Sequence, residues 1–156
     1  MISPGKAATI ARRLEAQALV AVAPCGPKRG LAGIKLVGVT GSASGEYFVP
    51  FAVGNEPSSR DYAYAGLTAA IDRLRSLNIE RVLIVVDDAE LVEELERRVE
   101  PPRDLFLQYV ILGCKLNEFR KARVVSSSSS RLEQLHAKTE NLAATIYNAP
   151  LLAHAM

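Results

Sequence analysis

The hexapeptide RVLIVV (81–86) carries five apolar residues in succession. Side chains of a strand alternate between its two faces, so a strand without a polar face has to be covered from both sides. A sheet with helices on each face meets that demand, whereas a sheet open to water on one side or a helical bundle does not. The neighbouring sequence agrees. On one side Tyr64, Leu67, Ile71, Leu74 and Leu77 recur at intervals of three and four, the spacing of an amphipathic helix. Ser58 and Asp61 form a capping pair at its start. On the other side DAELVEELERRVE opens a second helix with Asp88 as its natural N-cap, and Pro101 and Pro102 require it to stop.

Before residue 57 the pattern is that of strands. ALVAVA (18–23), LAGIKLVGVT (31–40) and EYFVPFAV (46–53) are separated by the turn sequences PCGPKRG and GSASG, which predicts an antiparallel meander. Pro50 assigns the third strand to an edge, because proline cannot donate to a neighbouring strand. Ser3 and Pro4 mark the start of an additional N-terminal helix in SPGKAATIARRLEA. Later, DLFLQYVILGCKLNEF (104–119) aligns Leu105, Tyr109, Leu112, Leu116 and Phe119 on one stripe and is expected to be a largely buried helix. ARVVSS (122–127) reads as a last strand, and Ser126 to Ser130 as a solvated connection. Ser130 and Glu133 make a capping box for a final helix that turns Leu132, Leu135, Leu142 and Ile146 inward and is expected to end at Pro150.

The 156 residues fit one domain, with a core large enough to fold without disulfides. A hydrophobic fraction of 49% against 23% charged residues excludes a disordered tail, and no apolar run reaches the eighteen or so residues of a membrane span. The N-terminus lacks the apolar segment of a secretory signal, which predicts a cytoplasmic protein. Cys25 and Cys114 have no CxxC partner and read as small buried hydrophobes. A net charge of +2 does not by itself announce nucleic acid, so the distribution matters more. Lys28 with Arg29, and Arg120, Lys121 and Arg123, are the local basic groups through which phosphates could be held.

Helix, three strands, helix, strand, two helices, strand, helix is the element order of the ribonuclease H-like family, and the likeness extends to sequence. YAYAGLTAAIDRLRSLNIERVLIVVDDAELVEEL resembles the family's passage from a helix through a central strand to an aspartate at its C-terminal edge. LNEFRKARVVSSSSSRLEQLHAKTENLAA is similar to its last strand and helix. The resemblance covers roughly residues 18 to 147. It implies a five-stranded mixed sheet, three antiparallel strands plus two parallel, with helices on both faces; the N-terminal helix departs from the usual pattern.

The resemblance also implies carboxylates that converge on two magnesium ions for phosphodiester hydrolysis. Carried over singly, the first-strand aspartate falls at Ala23 or Pro24, the first-helix glutamate at Ala63 and the last-helix aspartate at Asn141. Asp88 matches the remaining position. One carboxylate cannot replace the set, so the expectation is a catalytically inactive module that binds an RNA–DNA hybrid or structured RNA, or serves in assembly, with no cofactor. Two alternatives stand beside it. In a metal-dependent nuclease with a rearranged set, Asp88, Glu140 and Asp61, with Asp87 nearby, would supply the catalytic groups, and Asp88 would hold magnesium. In a protein-interaction subunit, the edge strand or the tail APLLAHAM would be covered, for example in a homodimer. His136 lies near where some members of the family place a mobile histidine; an ordinary surface histidine is the plainer reading.

Overall fold

The computed structural model describes residues 15–37, 45–54 and 57–155. Within them run strands β1 (Glu15–Pro24), β2 (Arg29–Val37) and β3 (Gly45–Ala52), helix α1 (Ser59–Ser76) and strand β4 (Arg81–Val86). Helix α2 (Ala89–Leu95), a 3₁₀ turn (Arg103–Leu105), helix α3 (Phe106–Leu116), strand β5 (Lys121–Ser126) and helix α4 (Ser130–Ala155) follow. The expected N-terminal helix lies outside the described residues.

The strands form one sheet in the order β3-β2-β1-β4-β5. β1 pairs antiparallel with β2, and β2 with β3, whereas β4 lies parallel to β1 and β5 parallel to β4. This is the mixed sheet that the sequence predicts, and Pro50 does lie on an edge strand. The doubly apolar β4 is fully covered on one face only; on the other, Val85 is buried but Leu83 remains 37% exposed, because α4 crosses β1 and β2 and reaches only the end of β4. Val82, Ile84 and Val86 enter a large core beneath α1, α2 and α3, and Val85 enters a smaller one beneath α4.

Helix α1 opens with the expected capping box, Ser58 and Asp61 each satisfying the other's backbone N–H. Its buried residues Tyr64, Leu67, Ile71 and Leu74 pack on the sheet. Gly66 makes that contact possible, since a Cβ there would come within 2.5 Å of the Val22 side chain. Helix α2 is held to α1 by a buried polar network. The Glu94 carboxylate, 2% exposed, accepts hydrogen bonds from both Nη atoms of Arg60 and, at 2.6 Å, from the hydroxyl of the fully buried Tyr64. Burial alone would raise the Glu94 pKa, but the bonds from Arg60 and Tyr64 outweigh it and hold the carboxyl below its usual range. Burial, and the neighbouring Glu94, push Tyr64 up.

On the opposite face α4 crosses β1 and β2, burying Leu132, Leu135, Thr139 and Ala143. Gly33 leaves room for it, since a Cβ there would lie 2.1 Å from the Thr139 hydroxyl oxygen. Three details differ from the sequence reading. Ser129, not Ser130, caps α4, its hydroxyl accepting from Leu132 N–H. The helix continues through position 150, where Pro150 has no N–H to offer the Ile146 carbonyl. Ile146 itself faces outward, and Ala143 and Thr139 take the inner positions.

Helix α3 departs further. Leu105, Leu112 and Phe119 are buried as expected, but Phe106, Leu107, Val110 and Ile111 on its other side are exposed. Cys114 is exposed as well, and Cys25 is half-buried, its thiol donating to the Ala143 carbonyl. Neither is the buried hydrophobe that the sequence suggests. Among the described residues no helix is long and apolar enough to cross a membrane.

Candidate functional site

Parallel strands β1 and β4 end on the same side of the sheet, and there a hollow of about 290 Å³ opens between α1, α2 and α4. Ligands of open α/β sheets favour this carboxyl end. One wall is apolar: Val20, Val22 and Pro24 of β1 alternate toward it, joined by Ala63 and Leu67 of α1. The other wall is polar and consists of Asp87 and Asp88 after β4, with His136 and Glu140 of α4.

These side chains are not equally free to act. The Asp88 carboxylate accepts from Leu91 N–H at 3.0 Å and caps α2, the role its sequence position suggests. His136 and Glu140 stand one turn apart on α4, with Nε2 2.7 Å from Oε1. The imidazole Nδ1, shielded from solvent and without a hydrogen-bond partner, points toward Asp87, whose Oδ2 is 4.0 Å away. His136 thus sits between two carboxylates at the mouth of the hollow. Its i,i+4 spacing to Glu140 is visible in the sequence, but its proximity to Asp87 depends on how α4 crosses the sheet.

The structure separates the remaining candidates. Ala23 turns away from the hollow and packs with Leu31 and Ala143 beneath α4, because neighbouring strand residues face opposite sides; Pro24 is the one that lines it. Asp61 does not line the hollow. Its carboxylate is occupied by Ser58 and by Gln108 Nε2 at 2.9 Å. Burial would raise its pKa, but these hydrogen bonds prevail and lower it. Asn141 is exposed on α4 and Glu140, beside it, faces the hollow. Among the described residues no three His, Cys, Asp or Glu side chains are grouped so as to hold a metal ion. The apolar wall supplies no anionic oxygen, so the donor set does not fit a pair of magnesium ions.

The basic residues divide between the two ends of the sheet. Lys28 ends the β1–β2 turn and Arg29 opens β2, beside Gly30, which pairs with Pro24 at the rim of the hollow. Lys121 pairs with Arg81 at the start of β4, and Arg81 with Glu15 at the start of β1. Arg120 and Lys121 are therefore at the far end, about 17 Å away along β4, and Arg123, paired with Leu83, lies mid-strand. Arg120 and Arg123 also lie 3.9 Å from Glu80 and Glu96.

No family model matches the chain, and no curated protein does. Solved structures do. RNase H1 from the halophilic archaeon Halobacterium salinarum superposes with a TM-score of 0.68, covering 83% of this chain and 96% of that one at 18% identity. The fold is ribonuclease H-like. The N-terminal RNase H domain of a Mycobacterium tuberculosis protein gives a TM-score of 0.67, with 88% of this chain and 99% of that one covered at 16% identity. LC11-RNase H1, solved in complex with an RNA/DNA hybrid, gives 0.62, with coverage of 82% and 98% at 13% identity. At such identities the ribonuclease H-like likeness is one of architecture, and chemistry has to be argued from the hollow itself.

Proposed function

We propose that this chain is a ribonuclease H-like module that binds nucleic acid, an RNA–DNA hybrid or structured RNA, without cleaving it, and does so in the cytoplasm. The apolar wall of Val20, Val22, Pro24 and Ala63 carries this reading, because it supplies no anionic oxygen where a catalytic metal would need one. Asp87 and Glu140 lie on the opposite side with His136 between them, and Asp88 is engaged as a helix cap. Support for the ligand class comes from the fold and from the hybrid bound by LC11-RNase H1. Lys28 and Arg29, beside the hollow, are the residues proposed to hold phosphates there. Arg120, Lys121 and Arg123 form a second contact that a long duplex could reach.

The second reading is a metal-dependent nuclease with a rearranged carboxylate set, for which Asp87 and Glu140, lining the hollow with His136, would be the nearest acids. Purified protein incubated with labelled hybrid in magnesium or manganese separates the two. The expected result is intact substrate, with binding that falls steeply as salt rises. Reversing Lys28 and Arg29 to Glu should weaken binding alike for every sequence and reduce the salt slope by about two. Cleavage abolished by Asp87→Asn would establish the nuclease, and absence of both cleavage and binding would overturn the nucleic-acid reading.

A further inference from the structure

Tyr147 of α4 is 52% exposed, yet its ring has a defined seat. It rests on Gly26 in the turn between β1 and β2, where a Cβ would lie 2.5 Å from ring atoms Cδ2 and Cε2. Gly26 has a φ of +81°, in the left-handed region that glycine adopts without strain, so the turn offers bare backbone to the ring. One face of the ring is held there and the other is open to solvent. The register of α4 explains the contact. Thr139 meets Gly33 and Ala143 packs on Leu31, so the next turn of the helix brings Tyr147 over the start of β2. Arg29 lies on that same side of the strand, because it alternates in step with Leu31 and Gly33. Lys28 and Arg29 are both exposed. Residues 24–37 contain no acid and residues 141–150 no charge of either sign, so neither segment offsets these cations. Across the turn, Tyr62 and Phe51 pack edge to face with centroids 6.4 Å apart, and the Tyr62 hydroxyl approaches the Gly26 carbonyl at 3.5 Å.

An open aromatic face beside cations suits single-stranded nucleic acid, since the ring can stack a base while the cations hold phosphates. A base within a duplex already has neighbours on both faces, so only an unpaired one can take such a ring. We propose that Tyr147 is a stacking platform for an unpaired base adjoining the duplex, and that the chain therefore selects a hybrid or structured RNA with a single-stranded extension. The inference rests on the nucleic-acid reading given above and narrows its ligand. Tyr147 lies two turns of α4 beyond Glu140 of the hollow, roughly 10 Å, or about three base steps of roughly 3.4 Å. A strand leaving the hollow past Lys28 and Arg29 reaches the ring within that span.

Fluorescence anisotropy with labelled RNA–DNA hybrids tests the proposal, using one hybrid with blunt ends and others with an unpaired pyrimidine extension on either strand. An extension of the right polarity should tighten binding by about 5- to 150-fold, the worth of one base stacked on an aromatic ring. Tyr147→Ala should remove that gain, so that extended and blunt hybrids bind alike. Tyr147→Phe should keep it, because stacking uses the ring and not the hydroxyl. The chain has no tryptophan, so Tyr147→Trp places a single indole on the platform, and its emission should be quenched by the extended hybrid and not by the blunt one. Equal binding of the blunt hybrid and both extended ones, or a gain that survives Tyr147→Ala, overturns the inference and leaves nucleic-acid binding in place. Binding to none of them overturns both.

Discussion

Replacing Glu94 with alanine should cost about 3 kcal/mol, and the network around it explains the size. The substitution leaves the hydroxyl of Tyr64, 0% exposed, without its acceptor, which costs about 1–3 kcal/mol. It also strips Arg60 of a bidentate partner. Loss of one member of a fully buried ion pair costs about 3–5 kcal/mol, but the Arg60 side chain keeps 20% exposure and has Glu90 3.6 Å away, so the lower end applies. At this chain length 3 kcal/mol corresponds to a melting temperature lower by about 6–12 °C. Urea unfolding followed by circular dichroism measures it directly. Removing both charges with Arg60→Met and Glu94→Met should be milder than Glu94→Met alone, because no uncompensated charge stays buried. The folded state holds the Glu94 pKa below its unfolded value, so this contribution is complete above the ordinary carboxylate range and fades as pH falls through the lowered pKa. The gap between wild type and Glu94→Ala should therefore narrow in acid. Strict additivity of the two Met substitutions, or a loss below about 1 kcal/mol for Glu94→Ala, would refute the reasoning.

Asp88→Ala should lower stability by about 1 kcal/mol through loss of the α2 cap, and added magnesium should not raise the melting temperature of the wild type. A magnesium-dependent rise that Asp88→Ala removes would instead reveal a metal site. Asp61→Asn should cost about 1 kcal/mol at neutral pH and progressively less in acid, since hydrogen bonds from Ser58 and Gln108 favour the ionised form; equal losses at both pH values in urea titrations would contradict this. Gly33→Ala should destabilise by about 1–3 kcal/mol, because the new methyl meets the Thr139 hydroxyl; Thr139→Ala in the same chain should recover part of the loss in thermal melts.

Local chemistry makes three features legible in the sequence, although it misplaces the cap of α4 by one residue and its end at Pro150. The apolar run of β4 has the bounds read from it, the Ser58–Asp61 box opens α1, and Asp88 caps α2. What escaped reading depends on how elements cross. Strand alternation makes an error of one residue reverse a side chain, which is why Ala23 faces α4 and Pro24 the hollow. His136 joins Asp87 through the angle of α4 over β1, which no spacing encodes. The two basic groups separate only once strand order is known. For α3, periodicity identified the inward stripe correctly but said nothing of whether anything covers the apolar residues on the other side.

The packing of α4 on the central strands has a consequence during synthesis. Cys25 at the end of β1 meets the carbonyl of Ala143, 118 residues later in the chain. At about 5–20 residues per second a ribosome takes roughly 6–24 s to cover that span. Strands β1 and β2 can pair early, but Leu19, Ala21 and Leu31 must wait for Leu132, Leu135 and Ala143 before their side of the sheet is closed. A nascent chain thus carries a bare apolar sheet face through most of its translation. That face is where a ribosome-associated chaperone would be expected to bind, and stalling the ribosome before residue 130 should produce chains that depend on one.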